Sequence, residues 1–176
     1  LIKTSLDYRD SESVACSGAQ IKDVHNILKK AYSDNDPQGK GKDDEVFDTE
    51  IFTNFLPGYR RQQDFVEKYK PDAITISIGG NNINFGKKLL YCTLNQYSCY
   101  EDAGSKQKIL AEIKAQIEPL SATYNSLKQK SPSSRIYVIG YPELVKPGGD
   151  CANNVRLSGD ELTLAQNIVH DLNQAI

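Results

Sequence analysis

Three short stretches of this 176-residue chain carry residue types suited to holding a negative charge: Cys16-Ser17-Gly18-Ala19, Gly79-Gly80-Asn81-Asn82 and Gly140-Tyr141-Pro142. A glycine lets the backbone approach a ligand closely. Its exposed N–H, and the amide of an asparagine beside it, then donate to an anion or to an oxygen on which charge develops. One such turn is adequately explained as a tight strand-to-helix connection. Three of them at successive strand ends point to a shared site, because open α/β sheets bind ligands at the carboxyl ends of their strands.

Other residues that could do chemistry are sparse. The two histidines, His25 and His170, both fall in helix-periodic stretches and read as ordinary helix residues. Ser17 and Ser77 lie close to the glycine turns, but no base is evident to activate them. Asp34, Asp36, Gln38, Gly39 and Glu45 fall at positions of a calcium-binding loop, yet Pro37 and Gln38 fit that loop poorly, so a solvated acidic loop is expected. The four cysteines show no metal-ligand spacing, so no metal is expected. Cys92 and Cys99 lie close together in a Tyr-rich segment and are a plausible local disulfide. Cys16 and Cys151 then remain, either orphaned or paired with each other. An oxidising, extracellular compartment is favoured over a reducing one.

The elements that must position the glycine turns follow from hydrophobic periodicity. Ser13–Cys16 reads as a brief strand, followed by a helix on Ile21, Val24, Ile27, Leu28 and Ala31. Arg60–Tyr69 reads as a short helix stopped by Pro71. Ala73–Ile78 is the best strand and ends at Gly79-Gly80. Ser105–Lys130 reads as one long helix, with a stripe of Ile109, Ile113, Ile117, Leu120, Tyr124 and Leu127. Arg135–Gly140 is a second strong strand. A last helix starts at Ser158, an N-cap with Glu161 in the capping-box position. Alternating strands and helices imply an α/β fold, with a parallel sheet covered on both faces.

Composition narrows the function. With 21 basic and 23 acidic residues the net charge is −2, which offers no clustered basic face to a nucleic acid. No apolar run is long enough to span a membrane. The chain has no Met and begins at Leu1, so it reads as a processed or excised piece.

Taken together, Ala15-Cys16-Ser17-Gly18-Ala19, Thr75-Ile76-Ser77-Ile78-Gly79-Gly80-Asn81-Asn82-Ile83-Asn84-Phe85 and Val138-Ile139-Gly140-Tyr141-Pro142 resemble the SGNH (GDSL) hydrolases, most closely their secreted bacterial lipase/esterase branch. The order and spacing match along nearly the whole chain, up to Leu172-Asn173 in the last helix. The resemblance implies a three-layer α/β/α, flavodoxin-like parallel sheet, with residues 1–176 as one domain lacking its first and last elements. It implies a serine ester hydrolase without cofactor, secreted, acting on a small-molecule or lipid ester. Gly18 would supply a backbone N–H and Asn81 its side-chain amide to the oxyanion hole. It also suggests the Cys92–Cys99 disulfide.

The departures from the family pattern are specific. The family has Asp where this chain has Asn82. Its nucleophile lies in a Gly-Asp-Ser block and its acid and base in an Asp-x-x-His block, and neither occurs here. The 176 residues alone are therefore expected to be inactive, and a complementary segment carrying the Ser and His blocks is an expected partner. The alternatives are a non-catalytic ester- or glycan-binding module of the same fold, and an anion binder built on the Gly79-Gly80 turn with Lys87 and Lys88. The loops Tyr91–Tyr100 and Asp34–Glu45 are candidate rims of the substrate pocket.

Overall fold

The computed structural model describes residues 11–25, 61–94, 103–143 and 157–176. Their elements run α1 (Ile21–His25), α2 (Gln62–Tyr69), β1 (Ala73–Ile76), α3 (Phe85–Leu94), α4 (Ala103–Lys114), α5 (Ile117–Lys130), β2 (Arg135–Val138) and α6 (Gly159–Ala175). The two strands pair in parallel, Ala73 opposite Arg135 through Ile76 opposite Val138. Parallel strands need a crossover, and α3 to α5 lie within it. The α/β class expected from the sequence is what forms.

Several elements arise where local chemistry dictates them. Ser158 Oγ accepts from the Glu161 N–H at 3.2 Å while a Glu161 carboxylate oxygen accepts from the Ser158 N–H at 2.7 Å, which closes the expected capping box on α6. At the start of α2, Asp64 accepts from the Arg61 N–H at 3.1 Å and pairs with its guanidinium at 2.7 Å. Lys70 ends that helix in the left-handed region, at φ 47°, and its N–H bonds the Val66 carbonyl.

Two expectations are corrected. The long helix over Ser105–Lys130 is two helices, broken between Lys114 and Ile117. Pro119 is the cause: it has no N–H to donate, and its ring clashes with the carbonyl four residues earlier, so it is tolerated only in a first helical turn. The break also divides the apolar stripe. Ile109 and Ile113 enter one core cluster and Leu120 and Leu127 another, while Ile117 is left 48% exposed. The second correction concerns Ser13–Cys16, which forms no strand. Its burial alternates as a strand's would, but its Val14 carbonyl accepts from the Gln62 side chain at 2.8 Å instead of from a neighbouring strand among the described residues.

The first core cluster joins Ala19, Ile21 and Val24 to Ile78, Leu120 and Leu127, with Ile76 and Ile136 of the strands packed against it. The second joins Ile83 to Ile109 and Ile113 of α4 and Ile168 and Leu172 of α6. Thr75 and Tyr137 sit opposite each other on the other side of the sheet, and both are exposed. At the base of the sheet, the hydroxyl of fully buried Ser134 bonds the Pro71 carbonyl and also Ser131 Oγ, at 2.7 Å. The connections leading into β1 and β2 are thus stitched together below the first strand residues.

Candidate active site

Both strands end in the glycine turns singled out in the sequence, and the fold brings all three turns together. The Cys16–Ala19 turn is closed by an Ala19 N–H to Cys16 carbonyl bond of 3.2 Å. Gly18 adopts φ +79° there, a backbone conformation that side chains disfavour. After β1, Gly79 turns the chain at φ +113°, with the Leu120 side chain 3.7 Å from where a Cβ would stand. The 79–85 segment is then closed by three backbone bonds, Asn82 N–H to Gly79 O, Asn84 N–H to Asn81 O and Phe85 N–H to Gly80 O, at 3.0, 3.2 and 3.0 Å.

Three side-chain bonds join the first turn to the second. The Asn81 amide donates to the Ala19 carbonyl at 2.9 Å. The Gln20 amide donates to the Asn81 carbonyl at 3.3 Å. Asn82 Oδ1 accepts from the Ile21 N–H, at the start of α1, at 2.9 Å. Gly18 and Asn81, the two residues expected in an oxyanion hole, are therefore held on adjoining turns, both exposed. An amide nitrogen carries two hydrogens. The bond to Ala19 uses one of them and restrains the amide, and the second is not used in that bond.

Asn82, the departure from the family's Asp, keeps the acceptor that this joint requires. Its bond is to the first residue of α1 and not within its own turn. Asn82→Ala would strand a part-buried N–H, at a cost of about 1–3 kcal/mol. Asn82→Asp retains the acceptor beside a helix start and should leave stability unchanged or raise it. Urea denaturation midpoints at constant slope would measure both.

The third turn is held to the second by Tyr141. Its phenol oxygen accepts from the Gly80 N–H at 2.8 Å. Asn173 of α6 in turn grips the Tyr141 backbone, Oδ1 accepting from the Tyr141 N–H at 2.7 Å and the amide donating to its carbonyl at 2.9 Å. A Cβ on Gly80 would stand 2.9 Å from the phenol oxygen. Gly80→Ala should therefore cost about 1–3 kcal/mol through overpacking, more if the phenol bond is also lost. A lowered thermal midpoint would report it.

The remaining candidates find structural roles or lie elsewhere. His25 Nδ1 is 3.0 Å from Thr123 Oγ1 on α5. The Thr123 hydroxyl donates to the Pro119 carbonyl at 2.8 Å, so the ring nitrogen is the donor in that contact and His25 pins α1 to α5. His170 is an exposed residue of α6. Among the described residues Cys16 is a free thiol, its pKa raised by burial and by the neighbouring Asp23 charge, which suits it poorly to act as a nucleophile. Lys88 donates to Glu112 at 2.7 Å and to the Ile83 carbonyl at 2.6 Å, which commits one of the two lysines offered for an anion site. Tyr91 lies on α3 rather than on a loop. The Cys92–Cys99 pairing, Cys151 and the Asp34–Glu45 loop lie outside the described residues and side chains. Among the described residues no group of His, Cys, Asp and Glu is arranged to hold a metal, and no helix is long and apolar enough to cross a membrane.

Beside the second turn, Phe85, Leu89, Leu157, Leu164, Ala165 and Ile168, together with the charged Lys88 and Glu161, line a small crevice between α3 and α6. Sequence reasoning did not find this crevice, since it needs the packing of two helices about 70 residues apart. It also missed Gln20 and the joint made by Asn82, whose partners are 61 positions away.

No protein-family model matches the chain. A lipase from Streptomyces rimosus is 30% identical over 83 residues, 46% of this chain and 30% of that protein. Lipase 1 from Streptomyces coelicolor is 30% identical over 80 residues, 44% of this chain and 29% of its own length. Among solved structures, an extracellular lipase from Streptomyces rimosus superposes with a TM-score of 0.51 and 25% identity, covering 72% of this chain and 50% of that one. The chain thus spans half or less of the proteins it matches. Over these residues the likeness to SGNH-type bacterial lipases read from the motifs is borne out.

Proposed function

We propose that these residues form the oxyanion-binding part of a secreted, SGNH-type carboxylic-ester hydrolase, and that residues 1–176 are part of one domain with a three-layer, flavodoxin-like sheet. The observation that carries this reading is the Asn81 amide bound to the Ala19 carbonyl, which sets the Gly18 turn and Asn81 side by side. In this reading the Gly18 N–H and the second Asn81 N–H donate to the oxygen of an ester carbonyl as a serine attacks it. The serine and its His–Asp partners are supplied by a complementary segment of the same protein, and the mechanism uses no metal or organic cofactor. The lipase name of the relatives suits an ester with an apolar acyl group.

The exposed side of the sheet supports the wider architecture. Tyr137 and Ile139 are 47% and 52% exposed, whereas parallel sheets are ordinarily covered on both faces. A third layer and further strands would cover them.

The test is hydrolysis of a short p-nitrophenyl ester by the whole protein, alongside its Asn81→Ala variant. Turnover that falls sharply in the variant is the expected result. Absence of turnover, or turnover indifferent to Asn81, would refute the proposal.

A further inference from the structure

Asn173 lies on α6, yet its amide does something a packing residue would not. It makes two bonds to one backbone unit, accepting from the Tyr141 N–H and donating to the Tyr141 carbonyl. The phenol held at the end of that unit accepts the Gly80 N–H at 2.8 Å, and Asn81 is the next residue. Two glycines make the space this requires. A Cβ on Gly140 would stand 2.8 Å from Asn173 Oδ1, and one on Gly80 would stand 2.9 Å from the Tyr141 phenol. Gly80, Gly140, Tyr141 and Asn173 are therefore parts of one device, spread over the turns that follow β1 and β2 and over α6.

We propose that Asn173 is a positioning residue, which acts through Tyr141 to hold Gly80, and with it the Asn81 amide, in the orientation that oxyanion binding requires. The proposal rests on the hydrolase reading above and adds to it a residue outside the glycine turns. Asn81 is thereby held from two sides. Ala19 fixes its side chain, and the Asn173–Tyr141 pair fixes the backbone that carries it.

The requirement is for an amide, not merely for its shape, and this makes the proposal testable. Asn173→Asp is nearly isosteric, but an ionised carboxylate cannot donate to the Tyr141 carbonyl and repels it. A protonated carboxyl restores both bonds. The experiment follows amide hydrogen exchange at Gly80 in the whole protein by NMR, corrected for intrinsic exchange, from pH 4 to pH 8. In Asn173→Asp, exchange at Gly80 should be about tenfold faster than in the wild type near pH 8, the effect of one lost hydrogen bond, and should return toward wild type as the carboxyl protonates. The wild type should show no such recovery. Tyr141→Phe, which removes the acceptor directly, should exchange faster at every pH.

The kinetic arm uses the p-nitrophenyl ester at pH 8. Asn173→Asp and Tyr141→Phe should each lower kcat about tenfold with KM changed less than twofold, because a misaimed donor is felt mainly in the transition state. Wild-type exchange at Gly80 in both variants would overturn the proposal. So would faster exchange with unchanged kcat in a protein whose Asn81→Ala variant is inactive, and that result would leave the hydrolase reading standing. If Asn81→Ala itself is fully active, the hydrolase reading fails whatever the exchange data show.

Discussion

Asn81→Ala should lower kcat for ester hydrolysis by the whole protein about 10²–10³-fold, the loss seen when one side-chain donor is removed from an oxyanion hole. KM should change little, since the donor meets full negative charge only in the transition state. The geometry argues for a loss near the upper end of that range. The Asn81 amide is anchored to Ala19 at 2.9 Å, so its orientation is restrained before substrate arrives and little reorganisation is spent on ordering it. Asn81→Asp has the same shape but no donor, and places an anion where the oxyanion forms. It should be at least as inactive as the alanine variant. Steady-state kinetics on a short p-nitrophenyl ester, with a denaturation curve to show that both variants are folded, decide the matter. Activity in Asn81→Asp within a few-fold of wild type would exclude Asn81 as an oxyanion donor.

The second large effect concerns stability. Leu120 is fully buried, and its two methyl carbons stand 3.7 and 3.9 Å from the position a Gly79 Cβ would take. It fills the space directly under the second glycine turn and joins Ile21, Val24 and Ile78 in one cluster. Leu120→Ala should destabilise the protein by about 3–4 kcal/mol, within the 2–5 kcal/mol range of buried leucine truncations. The neighbours are poorly placed to fill the cavity. Gly79 has no side chain to reach into it, and its φ of +113° resists rearrangement into a larger residue's conformation. The urea midpoint should drop at unchanged slope. Leu120→Met, which largely conserves volume, should cost less than about 1.5 kcal/mol.

The parts of this fold that were legible in the sequence are those with local causes. Ser158 and Glu161 are three residues apart and satisfy each other, so their capping box could be read directly. The strands Ala73–Ile76 and Arg135–Val138 are β-branched or aromatic at most positions and end near glycine. The break between α4 and α5 was equally local, since Pro119 announces it. It was missed because the apolar stripe runs through with helical spacing on both sides, and periodicity outweighed a single proline.

At the candidate site, the three glycine turns were legible in the residues themselves, whereas the oxyanion roles of Gly18 and Asn81 come from the family resemblance and not from residue type or spacing. What joins the turns was not legible. Whether Asn82 bonds within its own turn or to α1, and whether the Tyr141 ring points to Gly80 or to solvent, depends on how helices and strands pack. No residue type or spacing encodes that choice. The structural role of His25 was half legible: its helical position followed from periodicity, its Thr123 partner did not.

The joint between the first two turns also bears on the order in which the molecule assembles. Its bonds link residues 61 and 62 positions apart, and the Tyr141–Gly80 bond spans another 61. Contacts of such sequence separation form late, because the chain between them must be ordered before they return any free energy. Helices such as α5 need only their nearest neighbours in sequence. The bond of Ser134, itself bonded to Ser131, to the Pro71 carbonyl at the base of the sheet aligns the strands from the opposite end. Closure of the three turns is then a late event in folding, and a refolding protein should regain its helical circular dichroism before it regains the ester turnover proposed for it.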